Sequence, residues 1–355
     1  MENIELIKHL SNAAGVSGFE DDVIAVARNY LGDEAVVQED RVRNLFIRSG
    51  TPGKDLPCVM LDAHSDEVGF MIQSINTSGT MKFLPLGGWN AQTVSAQAVR
   101  IKNSNGLWVK GVVASKPSHF MGPGEAKAPM DISNLVIDVG ASSGQEVMEK
   151  FHIRIGAPVV PDVAFHHDPE NGLMFGKAFD DRLGCAGVLE VLKHHISDIQ
   201  HLNVTGVLSS QEELGLRGVS VAAREAAPDV AIVLEGTPAD DTFNSSDFIQ
   251  AGMKRGPQIR HMDRSVLCNP RFVRFAIEVA REHDIPFQEA VRSGGGNNAS
   301  VITLHDRGIP TITLGVPVRY IHSHHCIAAV EDYENTVEWC VKILNQLTPD
   351  IIEGF

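Results

Sequence analysis

A chain of 355 residues, 43% hydrophobic and 21% charged, has the length and composition of a globular protein with one large domain or two moderate ones and a substantial core. Its formal net charge of −15 excludes the basic face that nucleic acid or an anionic membrane surface requires. No apolar run approaches the roughly eighteen residues of a bilayer span, and the opening MENIELIKHLSNAAG lacks the basic-then-apolar order of a secretion signal, so no membrane partner is expected.

In chain order, IELIKHL and DDVIAVARNYL within residues 3–31 carry helical periodicity, with Ser17-Gly18-Phe19-Glu20 as a turn between them. Short β-rich runs follow: AVVQE, NLFIR and PCVMLDAH. From about Val68 to Val163 the texture changes to short alternating runs such as GFMIQSI, TMKFLPL, AVRIKN, LWVKGVVA and NLVIDVG. Gly, Asn and Ser punctuate them, and SGQEVMEKF is the one helical candidate. Beyond Gly172, apolar strands and amphipathic helices alternate. LGCAGVLEVLKHHI, GVSVAAREA, NPRFVRFAIEVAREH and EDYENTVEWCVKILNQL read as helices. LNVTGVLSS, DVAIVLE and TITLGV read as strands, and ITLHDRGIP as a helix end and turn. This pattern predicts an α/β fold, a mostly parallel sheet sandwiched by helices. Residues 1–67 and 164–355 form that domain, interrupted by a small β-barrel over 68–163. The five cysteines are scattered without a CxxC pair and read as reduced thiols of a cytoplasmic protein.

Ligands of open α/β sheets bind beyond the carboxyl ends of the strands, so the residues following each apolar run matter most. PCVMLDA ends in His64-Ser65-Asp66, GLMFGKAF in Asp180-Asp181, VTGVLSSQ in Glu212-Glu213, VAIVL in Glu235 and TITLGVPVRYI in His322. Taken singly, each has an ordinary structural use: a core histidine, a helix cap, an exposed helix start, an arginine partner. Together they would crowd mostly negative groups at one sheet edge, where repulsion and burial both count against them. Divalent cations remove that conflict, and an N/O donor set of two imidazoles and three carboxylates suits zinc, cobalt or manganese. The set exceeds what one catalytic zinc uses, which favours two ions with Asp180 as the shared carboxylate. Asp181 then orients a neighbour or caps the helix. In SSQEELG one glutamate is expected to ligate while the other stays free as a general base.

The stretches LDAHSDEVGF, GKAFDDR, SSQEELGLRG and VPVRYIHS, together with GVSGFE near the N-terminus, resemble the tetrahedral (TET-type) metallo-aminopeptidases. That group includes glutamyl and deblocking aminopeptidases and the "cellulase M" proteins. The resemblance spans essentially the whole chain. It implies a zinc-exopeptidase-like fold, hydrolysis of N-terminal residues from peptides, and two divalent ions per subunit, zinc or cobalt ahead of manganese. It also implies a barrel that mediates dimerisation, and self-association through dimers to dodecamers. Carried over by motif, His64, Asp180, Glu213, Glu235 and His322 are the metal ligands and Asp180 the bridge. Glu212 is the general base, and Asp66 hydrogen-bonds the His64 imidazole from behind.

The chain departs from the family pattern in three places. Glu235 stands where aspartate is usual, Asn297-Asn298 where Thr-Asp is common, and Arg43 in DRVRN where glycine is expected. The second departure bears on substrate anchoring near that loop. SGGGNNAS lacks the Lys-Ser/Thr ending of a phosphate loop. The alternatives are a deacylase or other hydrolase on the same site, a glucanase, which would need two metal-free carboxylates, and an assembly-forming homologue without turnover.

Overall fold

Two helices, Glu2–Asn12 and Asp21–Leu31, open the chain on either side of the Ser17–Glu20 turn. The computed structural model describes residues 2–48, 53, 55–124 and 129–355. A mixed sheet of 11 strands forms the larger unit. At its centre Asn203–Ser209, Cys58–His64, Val230–Pro238 and Thr311–Arg319 lie side by side, all parallel. Their near-continuous apolar sequences fit burial on both faces. The flanks are antiparallel: Leu45–Arg48 on one side, and Cys326–Ala329, Leu173–Gly176 and His166–Asp168 on the other. The parallel pairing inferred from alternating strands and helices thus applies to the central strands.

The helix Phe179–Glu190 lacks a polar face and is buried along its whole length. It lies against the central strands and is covered by Glu2–Asn12 and Val330–Gln346. Gly184 and Gly187 let it approach Val230–Pro238 closely: a Cβ on either would run into Leu234.

The second unit is a closed barrel of Gly69–Ile75, Met81–Leu86, Val136–Asp138, Trp108–Ala114, Ala98–Lys102 and Pro158–Pro161, in that spatial order. Phe70, Phe83 and Trp89 pack together inside it, with Phe70 stacked on Trp89 at 4.8 Å. The expected helix appears as Gly144–Glu149, capped by the Ser143 hydroxyl on the Glu146 N–H.

Strands Gln258–Met262 and Gln288–Val291 extend the sheet from Thr311–Arg319. Their short, irregularly apolar sequences carry no periodicity. All five cysteines are free. Among the described residues, no helix is long and apolar enough to cross a membrane.

Arg43 occupies a left-handed backbone position, φ 80°, a conformation that glycine adopts without a Cβ penalty. The Arg43 guanidinium pairs with Asp21 and Glu39. Its neighbour Asn44 is wholly buried and donates to the Gly218 carbonyl while accepting from the Ser210 N–H. The DRVRN stretch therefore braces the strand end that carries Glu212 and Glu213.

Candidate metal centre

The parallel register delivers the functional side chains to one edge. His64 is paired with Ser209, the last residue of the neighbouring strand, and Glu235 lies on the strand at the other side of Cys58–His64. Asp180 and Asp181 enter from the start of the central helix, after Ala178 in a left-handed conformation. Glu212 and Glu213 follow Ser209 through Gln211, itself at φ 55°.

The two adjacent aspartates divide their work. Asp181 Oδ1 accepts from the Gly184 and Gly236 N–H groups at 2.9 and 3.0 Å, and its Oδ2 accepts from His64 N–H at 3.1 Å. It secures the helix start and two strand ends, with Oδ1 accepting two hydrogen bonds and Oδ2 one. Asp180 faces the cluster instead. Its Oδ1 lies 3.1 Å from His64 Nε2, and its Oδ2 lies 3.2 Å from His322 Nε2. Each oxygen thus meets a different imidazole. Glu235 Oε1 stands 3.8 Å from His64 Nε2, and Glu213 Oε1 stands 3.2 Å from His322 Nε2. The side chains His64, Asp180, Glu212, Glu213, Glu235 and His322 are thus brought together with Asp181 at their base, and potential ligand atoms lie within 4.8 Å of one another in three groups: His64, Asp181 and Glu235; His64, Glu212 and Glu213; and Asp180, Glu213 and His322.

The seventh expected residue, Asp66, sits behind them. His64 Nδ1–H donates to the Asp66 main-chain carbonyl at 3.0 Å, closer than the carboxylate at 3.4 Å. The Asp66 carboxylate accepts chiefly from the Ser17 hydroxyl at 2.5 Å and from the Glu212 and Glu213 N–H groups at 2.9 and 3.2 Å. It leaves His64 Nε2 directed at the cluster and fixes the loop that carries the two glutamates.

Electrostatics explain what such a cluster requires. With protein groups alone, burial pushes Glu212 up to about 8; His64 opposes this, while Glu213, Asp66 and Asp180 add to it. Burial, then Asp181 and Asp180, raise Glu235 well above the carboxylate range. Burial would lower His322, but its contacts to Asp180 and Glu213 carry it up to about 11. Buried Glu235 Oε2 has no hydrogen-bond partner, and Glu213 Oε1, although 3.2 Å from His322 Nε2, is not aligned to accept a hydrogen bond from it. Orphaned carboxylate oxygens beside two imidazole nitrogens form a hard-to-borderline donor set that fits divalent cations such as zinc, cobalt or manganese.

Two other features were not legible in the sequence. The barrel backbone reaches the site: a Cβ on Gly87 would fall 3.1 Å from Glu213 Oε2, and one on Gly88 would fall 3.2 Å from His322 Nδ1. Glu20 of GVSGFE accepts from Gly18 N–H and Gln211 N–H, bracing the glutamate loop. The motif was visible, but its target lies 191 residues away. Asn297 and Asn298 do not face the site. Both are buried, and Asn298 Nδ2 donates to Asp62 and Ser209 at 2.7 Å each, beneath the strand ends. What lines the adjoining cavity is the glycine run before them.

Gly184 tests the packing that positions Asp181. A methyl group there meets both Asp181 oxygens and the Leu234 carbonyl. Gly184→Ala is expected to destabilise the fold by about 1–3 kcal/mol or more and to lower metal content, read by thermal unfolding and elemental analysis. A variant with unchanged midpoint and metal content would show that the helix start yields freely.

A buried, net-acidic cluster of carboxylates and imidazoles at the carboxyl ends of parallel strands is the arrangement of a metal-assisted hydrolase. Residues 44–339 match the M42 glutamyl aminopeptidase family, and the chain belongs to that family of aminopeptidases. It is 32% identical over 361 residues to the lysyl aminopeptidase of Pyrococcus furiosus, covering 98% of this chain and 99% of that one. The crystal structure of the TET aminopeptidase from Thaumarchaeota archaeon SCGC AB-539-E09 superposes with a TM-score of 0.94 at 34% identity, covering 100% and 99% of the two chains. The TET1 peptidase of Pyrococcus horikoshii, described as able to assemble into a tetrahedron or a large octahedral shell, superposes with a TM-score of 0.86 at 26% identity, covering 97% and 100%.

Proposed function

We propose that this aminopeptidase works through two divalent cations. His64, Glu235 and Asp180 would hold one, and His322, Glu213 and Asp180 the other. The observation that carries this reading is the split of the Asp180 carboxylate, one oxygen toward each imidazole. The longer Glu235 side chain reaches the His64 half of the cluster, so the departure from aspartate does not remove a ligand from this set.

When bound, the cations supply Lewis acidity for the scissile carbonyl and make hydroxide available near neutral pH. The chain's residues do the rest. Glu212 takes the proton from the attacking water and returns it to the leaving amine. Asp66 holds Glu212 and Glu213 through their backbone N–H groups and, with Ser17, keeps the loop from drifting. Asp181 holds the strand and helix ends on which His64 and Asp180 stand. Peptides are the substrates. The barrel, taken as an inserted domain over residues 68–163, serves dimerisation, and dimers build the dodecameric shell suggested by its TET relatives. The protein works in the cytoplasm.

Stripping the protein with a strong chelator and reconstituting it separately with zinc, cobalt or manganese tests this reading. Hydrolysis of aminoacyl p-nitroanilides is expected to vanish on stripping and to return at about two ions per chain. Turnover that survives complete stripping would point instead to a metal-independent hydrolase.

A further inference from the structure

Two cavities meet at Ile321 and His322. The one lined by the glycine run also takes in Asp180 and Glu235. The other, of about 540 Å³, touches the metal cluster at His322 alone. It is shared between the two units, because Asn90, Thr93 and Gln97 of the barrel supply one of its walls. His322 Nε2 faces Asp180 and Glu213, so a peptide bond held at the cluster has one cavity for the residue before it and one for the residue after it.

Charge decides which cavity serves which residue. An α-ammonium group is drawn to carboxylates, and Asp180 and Glu235 line the first cavity. Among the described residues that line the second, histidines aside, none is charged. A neutral lining suits the interior of a peptide rather than its charged end.

The second cavity has an aromatic wall. Phe243 is 73% exposed and Tyr320 44%, and their rings meet edge to face at 6.2 Å. Both rings leave apolar surface in water that a packed partner would cover. The pair is held in place from behind. The guanidinium of Arg319, next to Tyr320, donates to both oxygens of Asp241, two residues before Phe243, at 3.0 and 2.6 Å. Tyr320 itself stands at φ 63°, a left-handed backbone that a bulky side chain adopts at a cost. His324, 1% exposed, packs its ring against Trp89 of the barrel at 5.2 Å, so this wall is fixed from both units.

Resting on the aminopeptidase reading above, we propose that this cavity receives the second residue of the peptide, the one that becomes the new N-terminus, and favours an aromatic side chain there. The incoming ring packs against Phe243 and Tyr320 and covers their exposed faces. Phe243 is then a specificity-determining residue that acts after the cleaved bond rather than before it.

The test uses the metal-loaded enzyme on Xaa-Phe-amide, Xaa-Leu-amide and Xaa-Ala-amide, where Xaa is the residue released fastest from aminoacyl p-nitroanilides. Xaa stays constant and the amide removes the C-terminal carboxylate, so ratios of kcat/KM read the second side chain alone. A phenylalanine-to-alanine ratio of about tenfold is expected. A phenylalanine-to-leucine ratio of about twofold to fivefold is expected, because leucine buries apolar surface without pairing with the rings. Phe243→Ala is expected to bring the phenylalanine-to-leucine ratio close to one and to lower the phenylalanine-to-alanine ratio, while Phe243→Tyr keeps both. Should Phe243→Ala not fold, Phe243→Leu decides by the same ratios. Either wild-type ratio near one, or a folded Phe243→Ala with both ratios intact, would overturn the proposal. If that variant also changes its assembly on gel filtration while its ratios stay intact, the aromatic pair belongs to contact between copies instead. Hydrolysis of no p-nitroanilide and no dipeptide amide would remove the aminopeptidase reading, and this proposal with it.

Discussion

Replacing Glu212 by glutamine is expected to lower kcat by about a hundredfold to ten-thousandfold while leaving metal content and thermal midpoint as they are. The substitution keeps the shape of the side chain and removes its ability to take a proton. It does not touch the groups that position the loop, because Asp66 holds residue 212 through its backbone N–H. Nor does it remove any member of the two halves centred on Asp180. The environment also suits a base: burial raises Glu212 to about 8 before any cation opposes it. A carboxylate so placed accepts a proton more readily than an exposed one, and a pKa near the working pH favours passing it on. Single-turnover hydrolysis with elemental analysis of the same sample decides. A variant that retains more than about a tenth of kcat would strip Glu212 of its role. One that loses metal along with activity would make it a ligand instead.

Glu212 could be placed before any geometry because such sites follow apolar runs. His64, Asp180, Glu213, Glu235 and His322 each come directly after a stretch that reads as a strand, and the parallel register then assembles them. The central sheet and the barrel were legible for the same reason, since burial imposes period and punctuation. The antiparallel flanks were less so. Gln258–Met262 and Gln288–Val291 are short, partly exposed and dictated by tertiary pairing.

Where two residues of one type adjoin, sequence alone could not divide their roles. Asp180 and Asp181 differ because one spends its oxygens on three backbone N–H groups and the other does not. The departures from the family pattern gain a physical setting in the fold. Asn297 and Asn298 bore on substrate anchoring in the sequence, yet they are buried supports, and the cavity belongs to the preceding glycines and to Arg260 and Arg292. Arg43 stands at a positive φ with its guanidinium paired to Asp21 and Glu39. The approach of Gly87 and Gly88 to the site depends on how the barrel docks, which no local pattern encodes.

Removing the divalent ions is expected to lower the thermal midpoint, and the loss is expected to grow as pH rises from about 5 to 8, reaching on the order of 5–10 °C at pH 8. The sign follows from the cluster's own groups. Glu212, Glu213, Glu235 and Asp181 all have folded pKa values above their ordinary ones, burial being the first cause. Their stabilising contribution is complete below the ordinary carboxylate pKa and is lost as pH rises through the raised value, about 8 for Glu212. His64 and His322 are raised as well, so their contribution is complete below 6.5 and fades above it, toward about 11 for His322. Asp66 and Asp180 are lowered and gain stability as pH climbs through 3.8, below this window. Between pH 5 and 8 the stripped cluster therefore loses stability, first through its raised carboxylates and, above 6.5, through its histidines as well. Bound cations reverse this, because they prefer deprotonated ligands and displace protons as they bind. Buried groups outside the cluster, such as His324 at about 3, titrate in both forms and drop out of the difference. Calorimetry with and without chelator at several pH values measures that difference. A midpoint loss that is flat with pH, or larger at pH 5 than at pH 8, would show that cations do not replace protons on these carboxylates, and the two-metal reading would fail at its electrostatic foundation.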